Sequence, residues 1–297
     1  RPMKTRRKAF LTAIAAGAGL VLGADAASAQ QSPPPLTQEQ IKQIVASPDR
    51  SAADRTNDLR RKPEQMLLFI GICPGITALD LSAAGGYTTE LLARAIGPSG
   101  IVYGQSRPRD PNRAPTPPAA PEGNSNPSAA SGTAPAATPA PPAGAPRPSP
   151  DALAGRDSAL RTAGIKAAPI TAVVRPFEDP VPPELAAFDL VTLMFNYHDL
   201  GHLGVDRAAM NRAVFQALKP GGFYVIADHS GRPGTAISEA GTLHRVEEAF
   251  LRKEVEAAGF KLAAEGDFLR NPNDPRDKNT PDPPQPKDEF VLKFVKP

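Results

Sequence analysis

The sequence is poor in the residues on which cysteine-dependent domains rely. Its 297 residues include no tryptophan and one cysteine, Cys73. A single cysteine can neither close an intramolecular disulfide nor supply the thiolate cluster of a zinc ribbon, so both kinds of domain are excluded. Proline is in excess instead, with 36 residues, a share well above ordinary usage. A chain of this length can bury one large hydrophobic core or two modest ones.

The N-terminal segment carries the excess of positive charge. The whole sequence has 34 basic and 31 acidic residues, which gives a formal net charge of +3. Residues 1–29 contain five of the basic residues and one of the acidic residues, so the rest of the chain has a net charge near −1. A nearly neutral chain lacks the basic surface that binds DNA or RNA, and we expect no nucleic-acid partner.

Residues 1–29 have the pattern of a secretory signal peptide. A basic block at residues 4–8 precedes an apolar run at residues 9–23, and Ala27-Ser28-Ala29 has the form that signal peptidase cleaves. The apolar run of 15 residues is shorter than the ~20 residues that span a bilayer, so we expect no stable membrane insertion after cleavage. The pattern predicts a periplasmic or secreted protein, exported by the general secretory route or, given Arg6-Arg7, by the twin-arginine route.

A Pro/Ala-rich insertion is predicted at residues 108–150. It contains 14 of the prolines and lacks Val, Ile, Leu, Met, Phe, Tyr and Cys. Because such a segment has no apolar side chains to bury, nothing offsets the entropy cost of ordering it, and the composition predicts disorder. The insertion is either a tolerated surface loop or a tether for a partner. It divides one predicted domain into residues 30–107, with N-terminal helices and the first half of the domain, and residues 151–297, with the second half.

Short apolar runs alternate with helical patterns on both sides of the insertion. Helices are predicted at residues 88–96, 206–218 and 246–258 because each pattern ends at a glycine or proline. The alternation predicts an α/β, doubly wound, mostly parallel seven-stranded sheet with ligands at the carboxyl ends of its strands. Residues 290–295 are expected to pair with residues 261–265 as an antiparallel C-terminal edge strand. The predicted parallel strands are residues 78–81, 101–104, 170–174, 189–195 and 223–227.

Small residues follow the first predicted strand, at Ser82-Ala83-Ala84-Gly85-Gly86. Such a run lets the backbone turn sharply and approach a ligand before a helix begins. Four later landmarks occur in a fixed order: Gly104-Gln105, Phe177-Glu178-Asp179, residues 188–191 and residues 218–222. In this order the landmarks resemble those of the class I S-adenosylmethionine-dependent methyltransferases, whose fold is Rossmann-like. The resemblance spans nearly the whole chain outside the insertion and the signal peptide.

A narrower resemblance is to a branch of exported bacterial predicted methyltransferases. The matching stretches are Lys62-Pro63-Glu64, residues 86–90, Asn196-Tyr197-His198-Asp199, residues 255–260, and the tail at residues 268–272 and 290–294.

The resemblance implies S-adenosylmethionine as the cofactor and a small molecule as the acceptor. It places Asp80 opposite the methionine amino group, residues 82–86 beneath the methionine and ribose, and Glu178 or Asp179 on the adenine amino group. Gln105 stands where the family has an acid that binds the ribose hydroxyls, so charge assistance is missing there. Ser82 and Ala84 replace glycines of the family. The implied cofactor-binding residues are Asp80, Ser82, Ala84, Gly85, Gly86, Gln105, Glu178 and Asp179.

The fourth predicted strand is followed by Asn196, His198 and Asp199, where this fold places its acceptor-facing groups. The ordinary pKa of histidine, ~6.5, suits His198 to general-base catalysis, and a structural histidine is the alternative. Asp199 either orients His198 or caps the following helix. We expect Asn196, His198 and Asp199 to act in a methyl transfer in which the protein mainly aligns the reactants.

Two other hypotheses remain open. His198 and His202 share one segment and Asp228 ends the next strand, so these three residues are the candidate ligands of a metal-dependent enzyme, with Asp199 and His229 nearby. Alternatively, the altered glycine run marks a non-catalytic binding or scaffolding module. His244 is expected to be a solvated or helix-capping residue, and no oligomeric state is predicted.

Overall fold

The structure is a computed structural model that describes residues 33–112 and 147–297. The predicted signal peptide, residues 1–29, and residues 113–146 of the predicted insertion lie outside the described residues. The helices are α1 (Gln38–Val45), α2 (Ala52–Arg61), α3 (Pro63–Ile70), α4 (Tyr87–Ile96), α5 (Ser149–Thr162), α6 (Tyr197–His202), α7 (Arg207–Ala217), α8 (Ala240–Leu243) and α9 (Glu248–Ala257). The strands are β1 (Thr77–Leu81), β2 (Ile101–Ser106), β3 (Ile170–Val174), β4 (Phe188–Met194), β5 (Leu218–His229), β6 (Lys261–Gly266) and β7 (Glu289–Val295).

These strands form one seven-stranded sheet in the order β3-β2-β1-β4-β5-β7-β6. β1 lies parallel to both neighbours, with Leu79 opposite Tyr103 of β2 and Val191 of β4. β7 is antiparallel to β5 and to β6, so the other strands run in one direction. The predicted doubly wound, mostly parallel α/β sheet with an antiparallel C-terminal strand is confirmed.

The position of β7 in the sheet differs from the expectation of an edge strand. β7 pairs with β6 as predicted, but it also pairs with β5 from Phe223 to His229, so β6 forms the edge. Burial explains this order. Phe290 and Leu292 of β7 are buried in the core on one face of the sheet, and Val291 is buried in the core on the other face. A strand that is buried on both faces is typical of the interior of a sheet. β6 begins with exposed Lys261, and charged side chains are typical of edge strands.

Side chains alternate between two cores, one on each face of the sheet, because successive residues of a strand point to opposite faces. Ala78 of β1 and Val225 of β5 pack with residues of α1, α3, α4 and α5. Leu79 of β1 and Ile226 of β5 pack with residues of α6, α7 and α9. Both faces of the sheet are therefore covered, which leaves its edges and the ends of its strands for ligands.

Local signals account for the helix boundaries. Thr37 and Gln40 form a capping box at the start of α1, and the Asp206 side chain accepts a hydrogen bond from the backbone of Ala209 at the start of α7. α5 begins at Ser149, so the predicted insertion boundary at residue 150 is too late. Across residues 33–112 and 147–297, no helix has both the length and the apolar character that crossing a bilayer requires.

Candidate active site

The sheet changes its strand order between β1 and β4, and ligands of doubly wound sheets bind in the crevice at such a point. On one side of the crevice, β1 leads into residues 82–86, named here the 82–86 turn, and then into α4. On the other side, β4 leads into α6, with Asn196 at its N-cap and Asp199 in its first turn. The structure therefore brings the predicted cofactor-binding turn and the predicted catalytic segment to the same edge of the sheet.

The 82–86 turn has a backbone suited to glycine at every second residue. Ser82, Ala84 and Gly86 have φ angles of 56°, 47° and 80°, in the left-handed region that residues with a Cβ rarely adopt. A Cβ added to Gly85 would meet no atom within 4 Å. The turn therefore follows its path despite Ser82 and Ala84, and the space over Gly85 is open to a ligand.

Gln105 supports this turn from inside the protein. Its Oε1 accepts a hydrogen bond of 2.9 Å from the backbone N–H of Ser82, and its Nε2 donates one of 2.7 Å to the carbonyl oxygen of Arg175. Because Gln105 is fully buried and both ends of its amide are engaged, the structure gives it a role other than the predicted contact with a ribose. The next residue, Ser106, ends β2 and is partly exposed. Ser106 was not identified from the sequence, because a shift of one residue along a strand moves the side chain to the opposite face of the sheet.

Asp80 also has a different role from the predicted one. Its two carboxylate oxygens accept hydrogen bonds from the hydroxyls of Thr89 in α4, at 2.7 Å, and Thr192 in β4, at 2.8 Å. Asp80 is buried, and burial raises the pKa of its carboxyl to about 6. Asp80 thus joins β1 to α4 and β4 instead of presenting its carboxylate to a methionine amino group.

Arg156 of α5 is a site residue that the sequence did not reveal. Its Nε donates to the carbonyl oxygen of Gly85 at 2.5 Å, and its two terminal nitrogens bind Asp54 of α2 at 2.7 and 2.9 Å. It also pairs with Glu90 of α4. Burial alone would raise the pKa of Asp54, but Arg156 holds it below its ordinary value. Arg156 and Gly85 are 71 residues apart, so no local motif predicts their contact.

Helix α2 lies across the crevice. The hydroxyl of Tyr87, at the start of α4, donates a hydrogen bond of 2.7 Å to Asp58 of α2. At the end of β4, the guanidinium of Arg61 lies 3.9 Å from the ring centroid of Phe195. α2 therefore contacts both walls of the crevice and covers part of the site from solvent.

The two predicted adenine-binding acids follow β3 and differ in accessibility. Glu178 accepts a hydrogen bond from the backbone N–H of Asp206, at the N-cap of α7. Asp179 pairs with Arg175, and 61% of its side chain is exposed. Asp179 is the more accessible candidate of the two.

On the acceptor side of the crevice, His198 is fixed by Asp228 at the end of β5. Nδ1 of His198 lies 2.6 Å from Oδ1 of Asp228, and the backbone N–H of His198 donates to Oδ2 of the same carboxylate at 2.8 Å. Both side chains are fully buried. Asp228 therefore determines the orientation of the imidazole and leaves Nε2 as its other polar atom.

The histidine–aspartate contact has a consequence for the predicted chemistry. Burial alone would lower the pKa of His198, but the charge of Asp228 and the nearby Asp199 raise it to about 10. A raised pKa favours the protonated imidazole, whereas a general base must be free to take a proton. General-base catalysis by His198 stays a prediction, and the contact with Asp228 orients its ring.

Asp199 is a partly exposed member of the predicted catalytic group. It lies inside α6 and therefore does not cap the following helix. Its Oδ2 accepts a hydrogen bond of 2.8 Å from Nδ2 of Asn196, which brings the third predicted residue into the same group. Burial alone would raise the pKa of Asp199, but His198 and His244 hold it below its ordinary value. A quarter of the side chain, 25%, is accessible, so an ionised Asp199 can meet a substrate.

All four histidines of the chain converge beside Asp199. The ring centroid of His198 lies 5.2 Å from that of His229 and 5.5 Å from that of His244, and His202 lies 6.0 Å from His244. Oδ1 of Asp199 is 3.3 Å from Nε2 of His198, 3.3 Å from Nδ1 of His244 and 4.0 Å from Nδ1 of His202. We call His198, Asp199, His202 and His244 the histidine cluster.

His244 has a contact that was not predicted. It follows α8, and close packing of α8 on α6 brings it to Asp199, 45 residues away in sequence. The packing requires a small residue on α6, because a Cβ on Gly201 would lie 3.0 Å from Cβ of Ala240 in α8 and 2.4 Å from the side chain of Ile237 just before it. Glycine at that position was the only signal in the sequence for this contact, and it does not name the partner.

No protein-family model matches the chain, and no curated protein matches it. Solved structures similar in fold include an S-adenosylmethionine-dependent methyltransferase from Aquifex aeolicus, at 14% identity over 88% of this chain and 100% of that chain, with a TM-score of 0.48. A TehB-like S-adenosylmethionine-dependent methyltransferase from Corynebacterium glutamicum is 16% identical over 82% of this chain and 96% of that chain, with a TM-score of 0.44.

A third similar structure is the fibrillarin of Aeropyrum pernix with natively bound S-adenosyl-L-methionine, at 15% identity over 75% of this chain and 67% of that chain, with a TM-score of 0.39. The strand order, with helices on both faces, agrees with the doubly wound fold expected from the sequence. Fold alone does not determine a reaction. The function of this chain therefore has to be inferred from its own residues.

Proposed function

We propose that this chain transfers a methyl group from S-adenosylmethionine to a small-molecule acceptor. The observation that supports the proposal is the 82–86 turn. It lies at the switch point of the sheet, keeps left-handed angles at Ser82, Ala84 and Gly86, and leaves open space over Gly85. Such a turn at the start of a helix lets the backbone approach a ligand closely.

The residues around the turn fit the cofactor through the backbone more than through side chains. Gly85 offers a surface that no side chain occupies, Ser106 places a partly exposed hydroxyl at the end of β2, and Asp179 is exposed after β3. These groups would hold the ribose and adenine by hydrogen bonds. Asp80 and Gln105 act instead by fixing the strands and the turn.

The cofactor supplies a methyl group that its sulfonium already activates, so the protein needs to align the acceptor and exclude water. Asp199 is partly exposed, and the pKa of its carboxyl is held below its ordinary value. It can therefore accept a hydrogen bond from an acceptor O–H or N–H. His198, Asp228 and Asn196 hold Asp199 in place, and α2 shields the crevice.

Export is part of the proposal. The basic block at residues 4–8, the apolar run at residues 9–23 and Ala27-Ser28-Ala29 support a periplasmic or secreted location. The twin-arginine route carries folded proteins, so it would allow the chain to fold around its cofactor before it crosses the membrane.

Calorimetric titration with S-adenosylmethionine and with S-adenosylhomocysteine tests the proposal. The key variant is Gly85→Leu. Gly85 does not have a positive φ and its Cβ position is open, so leucine is tolerated by the fold but fills the proposed cofactor space. We expect saturable binding of both ligands by the unsubstituted chain and loss of binding in Gly85→Leu.

Gly155→Leu is the matched control. Gly155 is exposed on α5, where the nearest atom to an added Cβ is 3.8 Å away, so this variant should bind as the unsubstituted chain does. Circular dichroism would show that both variants are folded. If neither nucleoside binds the unsubstituted chain, or if Gly85→Leu binds both as well as Gly155→Leu does, the proposed function is wrong.

A further inference from the structure

The histidine cluster has the separations of a metal site. Two ligand atoms on a tetrahedral zinc ion, each about 2.0–2.2 Å from the metal, lie about 3.3 Å apart. Oδ1 of Asp199 is 3.3 Å from both Nε2 of His198 and Nδ1 of His244. One ligand atom from each of these three residues lies within 4.8 Å of the other two. An ion can therefore contact all three with small side-chain rotations.

A second observation also points to a ligand. The side chain of His198 is fully buried, and its Nε2 makes no hydrogen bond. Leaving a buried polar atom unsatisfied is costly, and such atoms in a native fold require an explanation. Nε2 is directed towards the carboxylate of Asp199, at 3.3 Å, on the side where His244 and His202 lie. A bound cation would satisfy Nε2.

The partner of the other ring nitrogen is typical of metal-binding histidines. Such residues nearly always direct their second nitrogen to a carboxylate or carbonyl, which fixes the ring and raises its basicity. Nδ1 of His198 lies 2.6 Å from Oδ1 of Asp228. Asp228 therefore occupies the outer position of a carboxylate–histidine–metal arrangement.

A second group of three candidate ligands, His198, Asp228 and His229, is less suitable. The 2.6 Å between Nδ1 of His198 and Oδ1 of Asp228 is a hydrogen-bond distance and is too short for two ligand atoms on one tetrahedral ion. All three side chains are buried, at 1% exposure or less. In the first group, 38% of His244 and 25% of Asp199 are exposed, so an ion can enter.

We propose that His198, Asp199 and His244 bind one divalent transition-metal ion of the zinc type, with Asp228 orienting His198. Two imidazoles and one carboxylate suit zinc and its neighbours better than calcium or magnesium. Three protein ligands leave a further position for water or for a substrate atom. Nδ1 of His202 lies 4.0 Å from Oδ1 of Asp199, so His202 is also close to the proposed ligands. This set differs from the one expected from the sequence, because Asp199 and His244 replace His202 and Asp228 as ligands.

The test uses the full chain without a histidine tag, stripped with a chelator and dialysed against zinc chloride, with the bound metal measured by atomic absorption. We expect saturable binding of one zinc ion per chain and a rise in Tm with zinc concentration. No nucleoside is present in this experiment. Its result is therefore independent of the proposed methyl transfer, and either proposal can fail without the other.

His244→Gly is the first variant, because His244 has a φ of 51° that glycine adopts without strain. We expect it to lower zinc affinity by more than Asp228→Asn does, for which the loss of an orienting partner predicts a decrease of about 10–100-fold. Asp151→Asn, an exposed acid of α5 away from the cluster, is the control and should bind as the unsubstituted chain does. The proposal is overturned if the unsubstituted chain binds no zinc up to millimolar concentrations, or if folded His244→Gly binds zinc with unchanged affinity.

Discussion

Arg156 binds Asp54 through two parallel hydrogen bonds, of 2.7 and 2.9 Å, and so connects the helix that follows the insertion to the helix that covers the crevice. The carboxylate is almost fully buried, with 5% of its side chain exposed, whereas the guanidinium is 20% exposed. Planar two-point pairing of this kind requires arginine, because lysine offers a point charge. The pair therefore determines where α2 and α5 sit relative to the 82–86 turn.

Removal of this arginine should destabilise the protein. Arg156→Met leaves Asp54 buried without a partner and frees the carbonyl of Gly85, and we expect a loss of about 3 kcal/mol in the free energy of unfolding. Urea denaturation measures it. Arg161→Met is the control on the same helix, since 70% of its side chain is exposed, and surface changes of this kind usually stay within about 0.5 kcal/mol. Equal losses in the two variants would contradict this account.

The buried carboxyl of Asp80 predicts a pH dependence of stability. Its pKa is about 6 in the folded protein and 3.8 by reference, so the fold favours the protonated form. The contribution is complete below pH ~4 and is lost as the pH rises through ~6, by about 3 kcal/mol. Asp80→Asn lacks this titration.

The stability of Asp80→Asn relative to the unsubstituted chain should therefore increase by about 3 kcal/mol between pH ~4 and pH ~8. Denaturation curves at several pH values measure the difference, in which the other titrating groups cancel. A difference that is constant with pH would show that Asp80 is not perturbed as described. Asp151→Asn, at an exposed position, should show no such trend.

The Ala84→Gly variant should be more stable than the unsubstituted chain. Its φ of 47° is left-handed, which costs about 1–2 kcal/mol for a residue with a Cβ, while glycine costs about 0.4–1 kcal/mol through the unfolded chain. We expect Ala84→Gly to gain roughly 0.5–1 kcal/mol. The neighbouring Ala83 is buried and has no positive φ, so Ala83→Gly should instead lose stability. A loss in both variants would argue against a strained turn.

A substitution of Gln105 can distinguish a structural role of this residue from a contact with a ligand. Gln105→Leu leaves the N–H of Ser82 and the carbonyl of Arg175 without their partners, and we expect a loss of about 2 kcal/mol in the ligand-free protein. A residue that touched only a ribose would show no loss without ligand. Ser106→Ala, at the partly exposed next position, should change the stability little. Thermal unfolding without nucleoside is sufficient for this comparison.

The sequence was enough to predict the parts of the fold that depend on local patterns. Buried parallel strands are continuous apolar runs, so β1 to β5 could be located. Helix α4 ends next to Gly97, α7 ends three residues before Pro220, and α9 ends two residues before Gly259. The position of β7 in the sheet could not be predicted from the order of strands and helices along the chain. A β7 that pairs with only one of β5 and β6 fits that order as well as a β7 that lies between them. Burial of β7 on both faces of the sheet, with Phe290 and Leu292 on one face and Val291 on the other, decides between the two pairings.

The residues of the candidate site also divide into those that a local sequence pattern predicts and those that it does not. The small residues of the 82–86 turn and the segment from Asn196 to Asp199 could be found because each is contiguous and follows a strand. Arg156 and His244 could not, since their partners are 71 and 45 residues away. The sequence gives the position of Gln105 in its strand but not the face of the sheet to which its side chain points. For that reason Gln105 was predicted to contact the ligand.

The histidine cluster holds three of the four imidazoles in the chain, and the fourth, His229, packs against His198. Nuclear magnetic resonance of protein labelled with isotope only in histidine would thus report on one location, with no background from the rest of the molecule. Four signals would follow protonation, ion uptake and acceptor entry separately, residue by residue. Because the histidines lie together, the site is also sensitive to chemical modification. An imidazole-modifying reagent would reach the exposed histidines and leave other parts of the protein untouched.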